Sequence, residues 1–331
     1  MKALLFAGIV ATTVALSQSP APALVPASRA PALILASPAA AKDPEPAEVQ
    51  VPENAESHVQ EPTGPASTAN PMTVLMRTGH WFIYSHGCDT VKTRRDVIIH
   101  FHGAYTTVIP RYLASGLDAV LVIVNLGLFS GPYTSAYALR ANVDGLLERI
   151  KTGIAEQCGI EDASITRLAL SSWSAGYGAT EQFLRWRPEL VDAVLLADGL
   201  HVGFTDRASR AVNVNSLDVF VKFAQLATRG EKLMAITHSS IIPQEYAGAA
   251  ETAMAVSLAV HAPTWTVSES KYGMQQVTAA RRGDFLVEGF AGNDKPAHAS
   301  HLYSIGKTTF ARLREYWERQ HHVRKTQQSQ Q

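Results

Sequence analysis

The sequence predicts an α/β domain with a mainly parallel central sheet and helices on both faces. Two observations carry this: short runs that are almost wholly apolar, and longer stretches between them whose apolar residues recur at helical spacing. A strand buried on both faces has no side to show to water, so continuous rather than alternating apolar runs mark a parallel sheet. Amphipathic helices between such strands close the layers above and below.

Taken in order, the chain begins outside that domain. Met1 and Lys2 precede LLFAGIVATTVALS, an apolar stretch short for a membrane span, and small or polar residues follow near Ser17. Residues 1–18 therefore read as a secretory signal peptide. Residues 19–70 are rich in Ala, Pro, Glu, Ser and Val and carry no periodic apolar face, the composition of a disordered linker. Residues 71–324, roughly 250 in number, suffice for one domain with a sizeable core, and the polar residues 325–331 are expected to form a disordered tail.

Within the domain, strands are expected at 81–84, 97–101, 119–124, 168–170, 193–196, 233–236 and 285–287. Helical spacing joins Leu139, Val143, Leu146, Leu147, Ile150 and Ile154, then Val219, Phe220, Phe223 and Leu226, and finally Phe310, Leu313 and Trp317. Lys plus Arg total 29 and Asp plus Glu total 29, so the formal net charge is zero. No basic run is interleaved with aromatics, which argues against nucleic acid as a partner. The two cysteines, Cys88 and Cys158, are compatible with one disulfide or with two free thiols, because pairing depends on geometry that spacing does not reveal.

Ligands of such sheets bind beyond the carboxyl ends of the strands. The stretch ITRLALSSWSAGYGAT passes from an apolar run into Ser174 and leaves through Gly176 and Gly178 into EQFLRW, which has helical character. A strand turning abruptly into a helix at Ser174 projects the serine oxygen clear of the backbone, with the next N–H groups aimed at the same space. Ser172 and Gly176, at minus two and plus two, are small enough to permit the corner. This resembles the nucleophile turn G-x-S-x-G of the α/β-hydrolase superfamily, with Ser172 in place of the first glycine.

The resemblance implies further site residues. His100-Phe101-His102-Gly103-Ala104 is similar to the loop that supplies one oxyanion-hole N–H, so the donors would be the backbone amides of Ala104 and Ala175. His100 and His102 alternate on one face and are also half of a conceivable metal site, but no partner sequence of matching spacing stands out. No metal and no organic cofactor is expected.

Asp198, after the run VDAVLLA, is the first choice for the triad acid. The superfamily more often places this acid after the next strand, which here ends in His238-Ser239-Ser240 without a carboxylate, leaving Glu245 and Glu251 as fallbacks. His298, in the loop expected after the last strand, is the favoured general base, with His301 near the following helix start as the alternative. The chain order Ser174, Asp198, His298 is the order this fold requires. Trp173 and Tyr177 are candidates to line an acyl or aromatic pocket, and His201, His238 and Tyr105 to border its mouth.

The expected function is a secreted or periplasmic serine hydrolase of esterase type. Its substrate would be a small-molecule ester or other acyl compound, and no stable membrane span would remain after signal cleavage. Amide hydrolysis and acyl transfer use the same parts, and the oligomeric state is open. The competing reading is a catalytically silent α/β-hydrolase-like domain that binds a ligand or a surface partner through the same cleft.

Overall fold

The computed structural model describes residues 73–78, 81–85, 87, 88, 95–161 and 163–328. The expected signal peptide (1–18) and nearly all of the region before the first strand, including the linker (19–70), lie outside the described residues.

In chain order the first half contributes β1 (Thr73–Thr78), β2 (Trp81–Ser85), β3 (Asp96–Phe101), α1 (Tyr105–Ser115), β4 (Val120–Val124), α2 (Ser130–Ala136) and α3 (Arg140–Cys158). Next come β5 (Arg167–Trp173), a 3₁₀ turn (Ser174–Gly176), α4 (Tyr177–Trp186), β6 (Ala193–Ala197) and a small hairpin of β7 (Phe204–Asp206) and β8 (Ala211–Val212). The remainder is α5 (Asp218–Thr228), β9 (Leu233–His238), α6 (Ala249–Ala259), β10 (Thr264–Lys271), β11 (Met274–Arg282), β12 (Phe285–Phe290), α7 (Lys295–Tyr303) and α8 (Thr309–Gln328).

Ten strands form one sheet in the order β1-β2-β4-β3-β5-β6-β9-β12-β11-β10. From β4 through β12 every pairing is parallel. The antiparallel pairings lie at the two ends, β1 and β2 at one and β10 and β11 at the other. Each predicted strand is present, and the reason is visible in the core. Val97, Ile99 and Phe101 of β3 pack into one buried cluster with α3, α4 and α5, while Ile98 packs into the other with α1 and α8. β4, β6 and β9 divide their side chains between the two clusters in the same alternating way. Successive side chains leave opposite faces of a strand, so a strand covered on both sides must be apolar at every position.

At the amino ends of the parallel strands, Arg167 Nε donates to Asp96 Oδ1 at 2.9 Å, and Nη1 donates to the Trp317 carbonyl at 3.1 Å. This buried pair ties α8 to β3 and β5 at the end of the sheet away from the strand tips that carry the site. Cys88 and Cys158 form a disulfide across 70 residues of sequence, which resolves the two alternatives left open above. Restricting an unfolded loop of that length contributes about 4 kcal/mol on the chain-entropy account.

Several features depart from expectation, among them β1 and the β7–β8 hairpin, which no expected strand covers. The hairpin of β10 and β11 was not predicted, because TWTVSESK faces mostly outward and shows no buried run. Its turn is the two residues Tyr272 and Gly273, both with positive φ, closing the Lys271–Met274 pair. The segment expected as a loop around His298 is helix α7, begun by Asp294, whose carboxylate accepts the Ala297 N–H, with Pro296 in the first turn. The last helix continues to Gln328, past the boundary expected at residue 325, and no Gly or Pro in its final turns stops it.

Candidate active site

Ser174 stands where β5 gives way to the 3₁₀ turn and α4, and it holds a φ of 48°. A non-glycine residue in that region is strained by roughly 1–3 kcal/mol and persists only where its surroundings fix it. Two glycines allow those surroundings to close in. A Cβ on Gly176 would overlap the Phe101 carbonyl of β3, and one on Gly199 would overlap the carbonyl of Ser174 itself. At minus two, Ser172 is fully buried, and its hydroxyl has no partner among the described residues.

Asp198 follows β6 at the next strand tip, also with positive φ, 45°. One carboxylate oxygen accepts the Ser239 N–H at 2.7 Å and the Ser239 hydroxyl at 3.0 Å. The other lies 2.7 Å from His298 Nδ1. Burial alone would raise the pKa of this acid; the His298 hydrogen bond, the nearby His301 and the Ser239 N–H outweigh it and hold the carboxyl at about 2. It is thus an anion at neutral pH, and the bond to Nδ1 leaves Nε2 as the nitrogen available for proton exchange.

His298 is held from below as well. Its ring stacks on Trp173 with centroids 4.8 Å apart, and Trp173 Nε1 donates to the His298 carbonyl at 3.2 Å. Trp173 stacks in turn on His102 at 4.9 Å, nearly parallel. His102 Nδ1 lies 2.9 Å from the Tyr133 hydroxyl, which donates to Asn125 at 3.0 Å.

Ser174, Asp198 and His298 line one pocket of about 180 Å³, together with His201, Ser239 and Tyr246 among others. Ser174 and His298 are not hydrogen-bonded to one another among the described residues; such bonds are often long until substrate is bound. The pocket rim otherwise comes from the segment between β9 and α6.

The other candidates have different surroundings. His301 Nδ1 lies 2.9 Å from Thr237 Oγ1, and burial pushes its pKa down to about 4, so Asp198 is paired with His298 rather than with the alternative base. Glu245 pairs with Arg207 at the surface, and Glu251 holds Arg210 through two bonds of 2.7 Å. Neither fallback acid reaches the histidine. Ala175 is buried in the first turn after Ser174, where N–H groups have no intrahelical acceptor. Ala104 is exposed at the cap of α1, and its N–H has no acceptor among the described residues.

Trp173 supports the histidine from behind instead of lining the pocket, and Tyr177 packs edge-on against His201 at 5.5 Å. His201 does line the pocket, its Nδ1 unpartnered and its pKa lowered to about 4 by burial. His238 is buried with Nδ1 2.9 Å from the Ser239 carbonyl, and Tyr105 is exposed against Phe82, so neither borders this mouth. His100 Nδ1 lies 2.9 Å from Ser171 Oγ, and burial lowers its pKa to about 3. Among the described residues no group of three or more His, Cys, Asp or Glu is placed to hold a metal.

Sequence reasoning missed Ser239, which fixes the acid from two atoms. Its signal was present in the triplet His238-Ser239-Ser240, at the strand tip where a carboxylate was sought.

No protein-family model matches the chain, and no curated protein matches it. Solved structures do. A cold-adapted esterase from an Arctic intertidal metagenomic library is 12% identical with a TM-score of 0.38, over 69% of this chain and 86% of that one. An acetyl xylan esterase from Aspergillus awamori is 13% identical with a TM-score of 0.39, over 64% and 88%. A siderophore hydrolase from Aspergillus nidulans is 11% identical with a TM-score of 0.38, over 75% and 96%. At such scores these likenesses carry nothing about chemistry. The chain's own strand order, its antiparallel pair beside β4 and its serine corner at the tip of β5 make the fold α/β-hydrolase-like.

Proposed function

We propose that the protein is a serine hydrolase of esterase type, with Ser174 as nucleophile, His298 as general base and Asp198 as the acid that orients it. The observation that carries this reading is the 2.7 Å bond between Asp198 and His298 at a pocket that Ser174 also lines. Ser174 Oγ attacks the acyl carbon while His298 Nε2 takes its proton. The imidazolium so formed is stabilised by the ionised Asp198. The Ala175 and Ala104 amides donate to the oxyanion. Collapse of the tetrahedral intermediate expels the alcohol, which receives the proton from His298. Water then repeats the sequence on the acyl-enzyme, returning the acid product and the free serine.

We assign the chain to the secreted or periplasmic space, with residues 1–18 removed on export, residues 19–70 as a linker and the domain that follows as the catalytic one. The Cys88–Cys158 bond supports this, since disulfides persist in oxidising compartments. Among the described residues no helix is long and apolar enough to cross a membrane.

Incubation with a fluorophosphonate probe tests the mechanism. Labelling at Ser174 that is lost in His298→Ala is the expected result; a folded protein that resists the probe favours a silent binding domain instead.

A further inference from the structure

A second and larger cavity shares a wall with the catalytic pocket. The end of β9 and the segment after it present Ser239, Ile241 and Pro243 to the pocket, while His238, Ser240 and Ile242 face a cleft on the other side. The start of α6 continues this division, with Ala249 facing the pocket and Ala250 and Glu251 the cleft. The wall is therefore one residue thick, with alternate side chains serving alternate compartments, as an extended backbone requires.

The two compartments differ in size and character. The pocket at Ser174 is about 180 Å³, smaller than the several hundred Å³ of sites that engulf a whole organic ligand, whereas the cleft is about 850 Å³ and falls within that range. The cleft runs between α6 and the sheet, lined by Met254 and Leu258 on one side and Val277, Ala280 and Val287 on the other. Leu258 is 66% exposed and Ile242 62% exposed, so this apolar surface is open to solvent at the rim. The charged groups at the cleft, Arg210 and Glu251, already satisfy each other.

We propose that the substrate is an ester with one short arm and one long apolar arm. The short acyl arm fills the pocket beside Ser174, and the long alcohol arm crosses the wall near Ile242 to lie in the cleft. An ester has two arms that diverge from one reacting carbon, and this chain offers two compartments of unequal volume on either side of a single strand of wall. Binding energy from the remote arm then serves to hold the carbonyl at Ser174. The proposal rests on the esterase reading above.

Three esters test it: ethyl acetate, octyl acetate and octyl octanoate. The expected kcat/KM for octyl acetate is at least about tenfold above that for ethyl acetate, through KM, and octyl octanoate falls at least about tenfold below octyl acetate. Leu258→Glu, at an exposed position where the fold should tolerate it, lowers the octyl-to-ethyl ratio of kcat/KM at least about tenfold while the melting temperature stays near the parent's. Equal rates for the three esters, or an octyl-to-ethyl ratio that Leu258→Glu leaves unchanged, overturn the assignment. Calorimetry of octanol binding to the full chain carrying Ser174→Ala separates this from the chemistry. Octanol binding abolished by Leu258→Glu keeps the cleft assignment even if no ester is hydrolysed, in which case the esterase reading fails alone. Octanol binding that is absent or indifferent to Leu258→Glu overturns it.

Discussion

At the tips of β5 and β6, Ser174 and Asp198 hold φ values of 48° and 45° inside a shell of buried side chains. At the far edge of the same sheet, β10 leaves every residue exposed except the half-buried Val267 and Lys271. The corner is over-determined: Gly176 and Gly199 admit close backbone contact, Ser239 grips the acid from two atoms, and Trp173 backs the base. The edge is fixed mainly by ladder bonds and a two-residue turn. Strain is sustained where packing leaves no alternative, and variation is tolerated where water is the neighbour.

The contrast is sharpened most by removing the proposed nucleophile or the proposed base. Ser174→Ala and His298→Ala should each lower turnover of an ester by on the order of 10⁶-fold while the melting temperature stays near that of the parent. His301→Ala should leave turnover within about tenfold, because its ring serves Thr237, and should instead cost about 1–3 kcal/mol of stability for the partner it leaves buried. A severe His301 variant beside a mild His298 variant would break the assignment of the corner.

Next in size, Asp198→Asn should lower turnover about 10⁴-fold, since an amide neither stabilises imidazolium nor fixes the tautomer. Glu245→Gln and Glu251→Gln should keep most activity. Near-native turnover in folded Asp198→Asn would remove the acid from the mechanism.

Acid should act on the buried side of the comparison and spare the edge. Burial holds His102, His201 and His301 at about 4 and His100 at about 3. Unfolded, all four take up protons near 6.5, so the unfolded state binds more protons below that pH and stability falls as pH drops from 6.5 toward 4. Each contributes about 1.4 kcal/mol per pH unit, about 6 kcal/mol per pH unit together, against a total of roughly 5–15 kcal/mol for a domain. The acid midpoint by circular dichroism should therefore fall at about pH 5. The stability from the depressed Asp198 is fully present above about pH 4 and is lost only between about 4 and 2, so it does not move this midpoint. A midpoint below pH 4 would contradict the burial of these histidines.

The smallest effect belongs to the edge itself. Trp265→Ser on β10 should change stability by less than about 0.5 kcal/mol in urea unfolding. A larger loss would show that the edge is packed against something in solution.

The parallel strands could be read from sequence because burial on both faces forces runs such as Val97, Ile98 and Ile99 to be apolar throughout. The serine corner could be read because its backbone demands small residues at set positions. The hairpin of β10 and β11 was hidden for the opposite reason: its side chains meet water, and its turn carries Tyr272, a residue that rarely takes positive φ. His298 and His301 lie three residues apart on one helix, and only the positions of Asp198 and Thr237 distinguish them. The two compartments could not be read at all, since their linings bring together Ser174, Asp198 and His298 on one side and Met254, Val277 and Val287 on the other, which meet only in the folded chain.

The stack of Trp173 between His102 and His298 has an optical consequence. An excited indole transfers an electron readily to an adjacent imidazolium and poorly to a neutral imidazole, so its emission dims when the neighbouring ring gains a proton. With centroids 4.8 Å from His298 and 4.9 Å from His102, Trp173 is within contact range for this quenching. Its fluorescence should therefore fall as either ring takes up a proton. The part of that change abolished by His298→Gln reports the charge on His298, so the protein's own fluorescence can follow the charge state of its active site without any label.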